Sequence, residues 1–200
     1  MLPIFWWIIA PLITIILSLM TASGEKPSHM LILNGKKGAG KTATRDTLMG
    51  RKYNANTKPT IKEMIDQNDT FLIYDNSGSD DNAKYREKTR KAIISELNNH
   101  LKNIKILSYI HVFNAEEYDI NKEDLRYSIN HFKKYIEYEH GNSNDSKKYN
   151  LKIIGTRGDK ISIDKISKIE NEIRDNFTVD IKIFDMTKSP KDEIVKFLKG

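Results

Sequence analysis

Residues 29–50 read HMLILNGKKGAGKTATRDTLMG. An apolar strand, His29–Asn34, runs into Gly35-Lys36-Lys37-Gly38-Ala39-Gly40-Lys41-Thr42, and Lys41–Met49 then reads as a helix. The octet matches GxxxxGK[ST] and lies where that motif has to lie, between a strand and a helix. Glycines there let backbone N–H groups curl around phosphate oxygens, and the helix N-terminus adds the positive end of its dipole. The motif assigns Gly35, Lys36, Lys37, Gly38, Ala39, Gly40, Lys41, Thr42 and Ala43 to the phosphates of a nucleotide. Lys41 reaches the β- and γ-phosphates, a binding and a catalytic role, and the Thr42 hydroxyl is a ligand for Mg2+. Lys36 and Lys37 stand at the loop edge, where a solvated side chain is the plainer reading. Taken without its context, the octet also reads as a Gly-rich turn.

The rest of the chain alternates strand and helix. Thr60–Ile65 and Thr70–Asp75 read as two strands joined by the turn-rich Asp66-Gln67-Asn68-Asp69. Ala83–Lys102 reads as a helix with Ile93, Leu97 and Leu101 four residues apart, and Ile104–Phe113 as a strand. Asn121–His140 carries Leu125, Ile129, Phe132 and Ile136 on one helical face, and Gly141–Tyr149 reads as a loop. Strand Leu151–Thr156, helix Asp164–Asn176 (Ile166, Ile169, Ile173) and strand Val179–Phe184 follow. The last helix opens on Ser189 as N-cap and Pro190 at its first position, and carries Ile194, Phe197 and Leu198. This alternation predicts a three-layer α/β domain over residues 29–200. Its sheet has six strands and is mostly parallel, with one antiparallel edge strand from the hairpin.

In such a sheet, ligands bind at the carboxyl ends of the strands, so the later strand ends decide which nucleotide fits. Phe71–Tyr74 ends in Asp75-Asn76-Ser77-Gly78, a DxxG pattern. Asp75 is suited to hold Mg2+, usually through water, and the Gly78 N–H to meet a γ-phosphate. A threonine between Asn54 and Thr60 has to reach both metal and γ-phosphate; Thr60, before the hairpin strand, takes that metal and catalytic role, with Thr57 second. Leu151–Gly155 ends in Thr156-Arg157-Gly158-Asp159, similar to the [N/T][K/R]xD guanine-recognition pattern. A carboxylate at Asp159 accepts from guanine N1–H and the 2-amino group together; adenine lacks that donor pair. The Arg157 stem covers the base. An ordinary turn with a helix-capping Asp is the other reading of these four residues. Asp185-Met186-Thr187-Lys188 follows the last strand and places Thr187 at the far wall of the base pocket.

Composition bounds the chemistry. The chain has 200 residues, a net charge of +6 and no cysteine, which excludes disulfides, thiol chemistry and Cys-ligated metals. The five His show no metal-binding spacing. Lys and Glu alternate along the helices, so nucleic-acid binding is not indicated. Met1–Met20 carries no charged side chain and is just long enough to cross a bilayer as a helix. Lys26, Lys36 and Lys37 follow it, and no basic side chain precedes it. This charge asymmetry predicts a single-pass N-terminal anchor with the body in the cytosol, joined by a polar linker over 21–28. The alternative is a signal peptide cleaved near Thr21–Gly24, leaving a secreted or lumenal protein.

The stretch Gly35–Gly50 resembles the phosphate-loop signature of the AIG-type (immunity-associated, GIMAP-like) GTPases, with Ala43-Thr44 and Leu48-Met49-Gly50 extending the match. Thr156–Asp159 is similar to that family's fourth motif, and Ser108–Leu125 loosely to its box between the third and fourth. The resemblance implies a Ras-like P-loop GTPase fold, GTP or GDP with Mg2+, and a nucleotide-dependent homo-oligomer. The family's third motif is usually DTPG, against Asp75-Asn76-Ser77-Gly78 here, and Ser79 stands where Ras-like enzymes carry a water-orienting Gln. Slow hydrolysis follows, or a residue supplied across a dimer. An N-terminal anchor before a small GTPase domain is also the layout of the signal-recognition-particle receptor β-subunit. The function expected is a membrane-anchored GTPase switch. A catalytically weak pseudo-GTPase scaffold is the alternative, followed by an ATP-using nucleotide kinase.

Overall fold

The computed structural model describes residues 27–52, 64–75, 104–142 and 148–200. The apolar segment 1–20, most of the linker, Thr57, Thr60, Gly78, Ser79 and the helix expected over 83–102 lie outside the described residues. Strands β1 (His29–Asn34), β2 (Met64–Gln67), β3 (Phe71–Asp75), β4 (Ile106–Asn114), β5 (Lys148–Thr156) and β6 (Asp180–Ile183) form one sheet in the order β2-β3-β1-β4-β5-β6. All neighbours pair in parallel except β2, which runs antiparallel on β3 at the edge. The described helices are α1 (Lys41–Leu48), α2 (Tyr118–Asn142), α3 (Ile163–Phe177) and α4 (Lys191–Lys199).

Successive side chains of a strand point to opposite faces, and the buried residues sort by parity. Leu31 and Leu33 of β1, Ile110 and Val112 of β4 and Ile154 of β5 share a core with Leu48 of α1 and with Ile194 and Leu198 of α4. Met30 and Ile32 of β1 and Tyr109 of β4 pack on Phe132 of α2. Ile153 of β5 and Ile181 and Ile183 of β6 meet Leu125, Ile129, Ile169 and Ile173 from α2 and α3. Thus α1 and α4 cover one face and α2 and α3 the other. The central strand β1 is buried along its whole length, as a parallel strand covered on both sides must be.

Several boundaries differ from the sequence expectation, each for a local reason. β5 begins at Lys148, inside the stretch expected as loop, because it runs beside the long β4 over the full register Ile106↔Lys148 to Asn114↔Thr156. α2 likewise extends into the expected loop, to Asn142. Ser189 is not an N-cap: it takes a left-handed φ of 50° and donates its N–H to Met186 O, which closes a 3-10 turn, and Pro190 becomes the capping residue. Ser28 lies in the expected linker, yet its carbonyl accepts from the N–H groups of Lys105 and Ile106 and ties the domain's start to β4.

Because β1, β3, β4, β5 and β6 run parallel, their carboxyl ends share one edge. The winding reverses at β1, with β3 on one side and β4 on the other. Its carboxyl end is therefore the crevice where ligands bind in such sheets.

Candidate nucleotide site

The loop after β1 is shaped by two glycines that no other residue can replace. Gly35 has φ 146°, and a Cβ there would come within 2.0 Å of Val112 O. Gly40 has φ 92°, and its Cβ would meet Thr156 at 2.6 Å. The loop thus lies against β4 and β5 at a distance only bare backbone allows. Lys41 is buried, and its Nζ donates to Gly35 O (2.7 Å) and Lys36 O (3.0 Å), so the cation is folded back over the loop. α1 starts at Gly40 with no side-chain cap and no acid in its first turn. The amino end of α1, with the positive end of its dipole, favours an anion there. Lys36 is half-buried and Lys37 and Gly38 are exposed; Ala39 is buried, and Thr42 and Ala43 are half-buried.

Two of the three expected metal residues, Thr42 and Asp75, meet. Thr42 Oγ1 lies 3.3 Å from Asp75 Oδ2, across α1 and the end of β3. Asp75 is 1% exposed. Burial pushes its carboxyl up to about 6, against the opposing pull of Lys41, Arg45 and the Thr42 hydroxyl. Its Oδ1 is buried and has no hydrogen-bond partner among the described residues. A buried, under-compensated carboxylate oxygen beside a threonine hydroxyl fits Mg2+, which takes few protein ligands and completes its shell with water and phosphate oxygens. Among the described residues no group of three or more His, Asp or Glu could form an all-protein cage.

The residues expected to read the base make separate contacts. Thr156 is buried at the end of β5, and its Oγ1 lies 2.8 Å from Ala39 O and 3.3 Å from Phe113 O. It braces the phosphate loop from below rather than facing outward. Arg157, at φ 60°, pairs with Glu116 across 3.0 Å. Asp159 lies in the 3-10 turn Gly158–Lys160, its side chain 21% exposed and 3.2 Å from Lys160 Nζ. It does not cap the next helix: Ser162 does, accepting from Lys165 N at 3.2 Å. Thr187 donates both its N–H and its hydroxyl to Asp185, and these bonds hold the Asp185 carboxyl below its usual range. Three short turns, Ala115–Glu117, Gly158–Lys160 and Met186–Lys188, meet at this end of the sheet, joined by the Gly158 N–H to Phe184 O bond of 3.0 Å.

Two charged residues, Arg45 and Asp66, are not singled out by the sequence. Arg45 of α1 is buried and bonds Asp75, Asp66 and Asp46. The signal was present: Thr44, Arg45 and Leu48 fall on the inward face of the helix begun by Lys41, and a buried arginine needs acids around it. A cavity of about 550 Å3 lies between α2 and α3 on the other face, where Lys122 pairs with Glu172 and Lys165 with Asp119.

No family model matches the chain, and no curated protein matches it. A crystal structure described as "a probable GTP-binding protein engB" superposes with a TM-score of 0.55 and 14% identity, over 85% of this chain and 96% of that one. This likeness is one of fold: the chain has the mixed six-stranded α/β architecture of the P-loop GTPases.

Proposed function

We propose that this chain, built on the P-loop GTPase fold, binds guanine nucleotide with Mg2+ at the carboxyl edge of its sheet and works as a slow GTPase switch on a membrane. One observation carries the reading: Thr156 Oγ1 stands 2.8 Å from Ala39 O, so the phosphate loop and the first residue of the Thr156–Asp159 motif, 117 residues apart in the chain, are joined directly.

The residues divide the ligand between them. The loop's N–H groups and the first turn of α1 take the phosphates, and Lys41 is already held over them by the carbonyls of Gly35 and Lys36. Thr42 and Asp75 would hold Mg2+, which supplies charge neutralisation between the β- and γ-phosphates. Asp159 accepts the two guanine donors, and Arg157, tethered by Glu116, lays its stem along the base. Thr60 and Gly78 complete the γ-phosphate contacts, and their loops order and release with nucleotide state.

Finer assignments rest on sequence. Gly35–Gly50 and Thr156–Asp159 support an AIG-type GTPase. The charge-free Met1–Met20 supports an N-terminal anchor with the body in the cytosol; among the described residues no helix is long and apolar enough to cross a membrane. A nucleotide-dependent homo-oligomer goes with the AIG-type assignment. Asn76-Ser77 and Ser79 favour a second reading, a weakly catalytic scaffold on the same site.

Asp159→Asn tests the base assignment. The amide loses the paired acceptor for guanine and gains a donor for the C2 carbonyl of xanthine. Preference should move from GTP to xanthosine triphosphate by about 2–4 kcal/mol, read by competition against a fluorescent nucleotide. An unchanged preference would remove Asp159 from the base pocket.

A further inference from the structure

Arg45 lies one helical turn beyond Lys41 on the inward side of α1. Its side chain is 5% exposed, and a guanidinium that deep needs acids around it to offset its lost hydration. Those acids come from three elements. Nη2 meets Asp46 at 2.9 Å on its own helix, Nε meets Asp66 at 3.1 Å on β2, and Nη1 meets Asp75 at 3.2 Å at the end of β3. Arg51 closes the network on Asp46 and Asp66 at 3.1 and 2.9 Å.

The oxygen that Arg45 holds is the oxygen that Thr42 reaches. Asp75 Oδ2 lies within 3.2 Å of the guanidinium and 3.3 Å of Thr42 Oγ1, so a permanent positive charge adjoins the pair assigned to the metal. Without a cation, an ionised and buried Asp75 would stand close to the nucleotide's phosphates in a weakly screened site and repel them. Arg45 neutralises that carboxylate from the protein side. It also joins β2 to β3, the strands adjoining the segments that hold Thr60 and Gly78.

We propose that Arg45 is a resident cation of the metal site, a positioning residue that keeps Asp75 neutralised and in place, so that GDP is retained when Mg2+ is withdrawn. This rests on the nucleotide reading above and extends it to how that nucleotide is released: loss of the metal alone does not empty the site.

The test is the ratio of GDP dissociation constants in excess EDTA and in excess Mg2+, measured on the full-length chain in mild detergent. For the wild type the ratio is about tenfold or less, and Arg45→Met raises it by at least about tenfold, whatever happens to affinity in Mg2+. Arg45→Lys, which keeps the charge, brings the ratio back toward the wild-type value. A purely structural role would lower both affinities together and leave the ratio unchanged, which overturns the proposal, as does an Arg45→Lys variant that behaves like Arg45→Met. The wild-type ratio decides even if the variants do not fold: binding in Mg2+ with a loss above about a hundredfold in EDTA overturns the proposal and leaves the nucleotide reading standing. No binding in either buffer removes both.

Discussion

His29 sits at the amino end of β1, buried, with Nε2 2.7 Å from Ser108 Oγ and its ring edge-on to Phe71. Burial first, and then the charges of Lys152, Lys199 and Lys148, lower its pKa from 6.5 to about 4. Between those two values the unfolded chain binds the proton and the folded chain does not. Stability from this residue is therefore complete above about 6.5 and falls away as pH drops toward 4. Asp75 works in the opposite sense, because its raised pKa makes the folded state the better proton binder over part of the same range. The comparison that isolates His29 is thus between variant and wild type. Between pH 7 and 4.5 the wild type should lose about 2 kcal/mol more unfolding free energy in urea than His29→Gln, at roughly 1.4 kcal/mol per pH unit. Equal losses would show that His29 does not carry that pH dependence. At this scale the residues whose chemistry depends on local spacing, Lys41 and Thr42, are legible in the sequence. Arg45 and Asp66 are not, because their meaning lies in partners 15–30 positions away, and neither is the turn of Thr156 toward the loop.

Elements act on the site mainly through their ends. The β5 terminus braces the phosphate loop: the Thr156 hydroxyl bonds Ala39 O, and Gly40 is pressed against the same side chain. Thr156→Val keeps the volume and removes the donor, leaving a buried carbonyl with one partner fewer. It should cost about 1–3 kcal/mol in unfolding free energy and weaken GDP binding, while Thr156→Ser restores both. A Val variant with wild-type stability and affinity would contradict the brace. Strand and helix types were legible because their apolar periods were unambiguous, as in Leu125, Ile129 and Phe132 of α2 and in the buried run of β1. Ends were less so. Lys148 and Tyr149 read as loop from a polar context, yet the neighbouring β4 supplies the ladder that makes them strand. Ser189-Pro190 satisfied the local rule for a helix start, and the 3-10 turn ending on Ser189 moved the cap by one residue.

For the whole molecule, alternation plus one hairpin predicts a mostly parallel six-stranded sheet with one antiparallel edge strand, and the observed order β2-β3-β1-β4-β5-β6 carries that strand at the edge. That arrangement gathers the phosphate loop, Asp75 and Asp159 along one rim, where the proposed nucleotide would meet all three motifs. The fold is shared with a protein of 14% identity, so ligand identity has to come from the rim residues themselves. The decisive measurement is calorimetric titration of the nucleotide-free full-length chain with GDP and with ADP, each in Mg2+. Saturable GDP binding near one per chain, with ADP at least about a hundredfold weaker, is the expected result, since adenine leaves Asp159 without its donor pair. Equal affinity for ADP, or no binding of either nucleotide, would contradict the account.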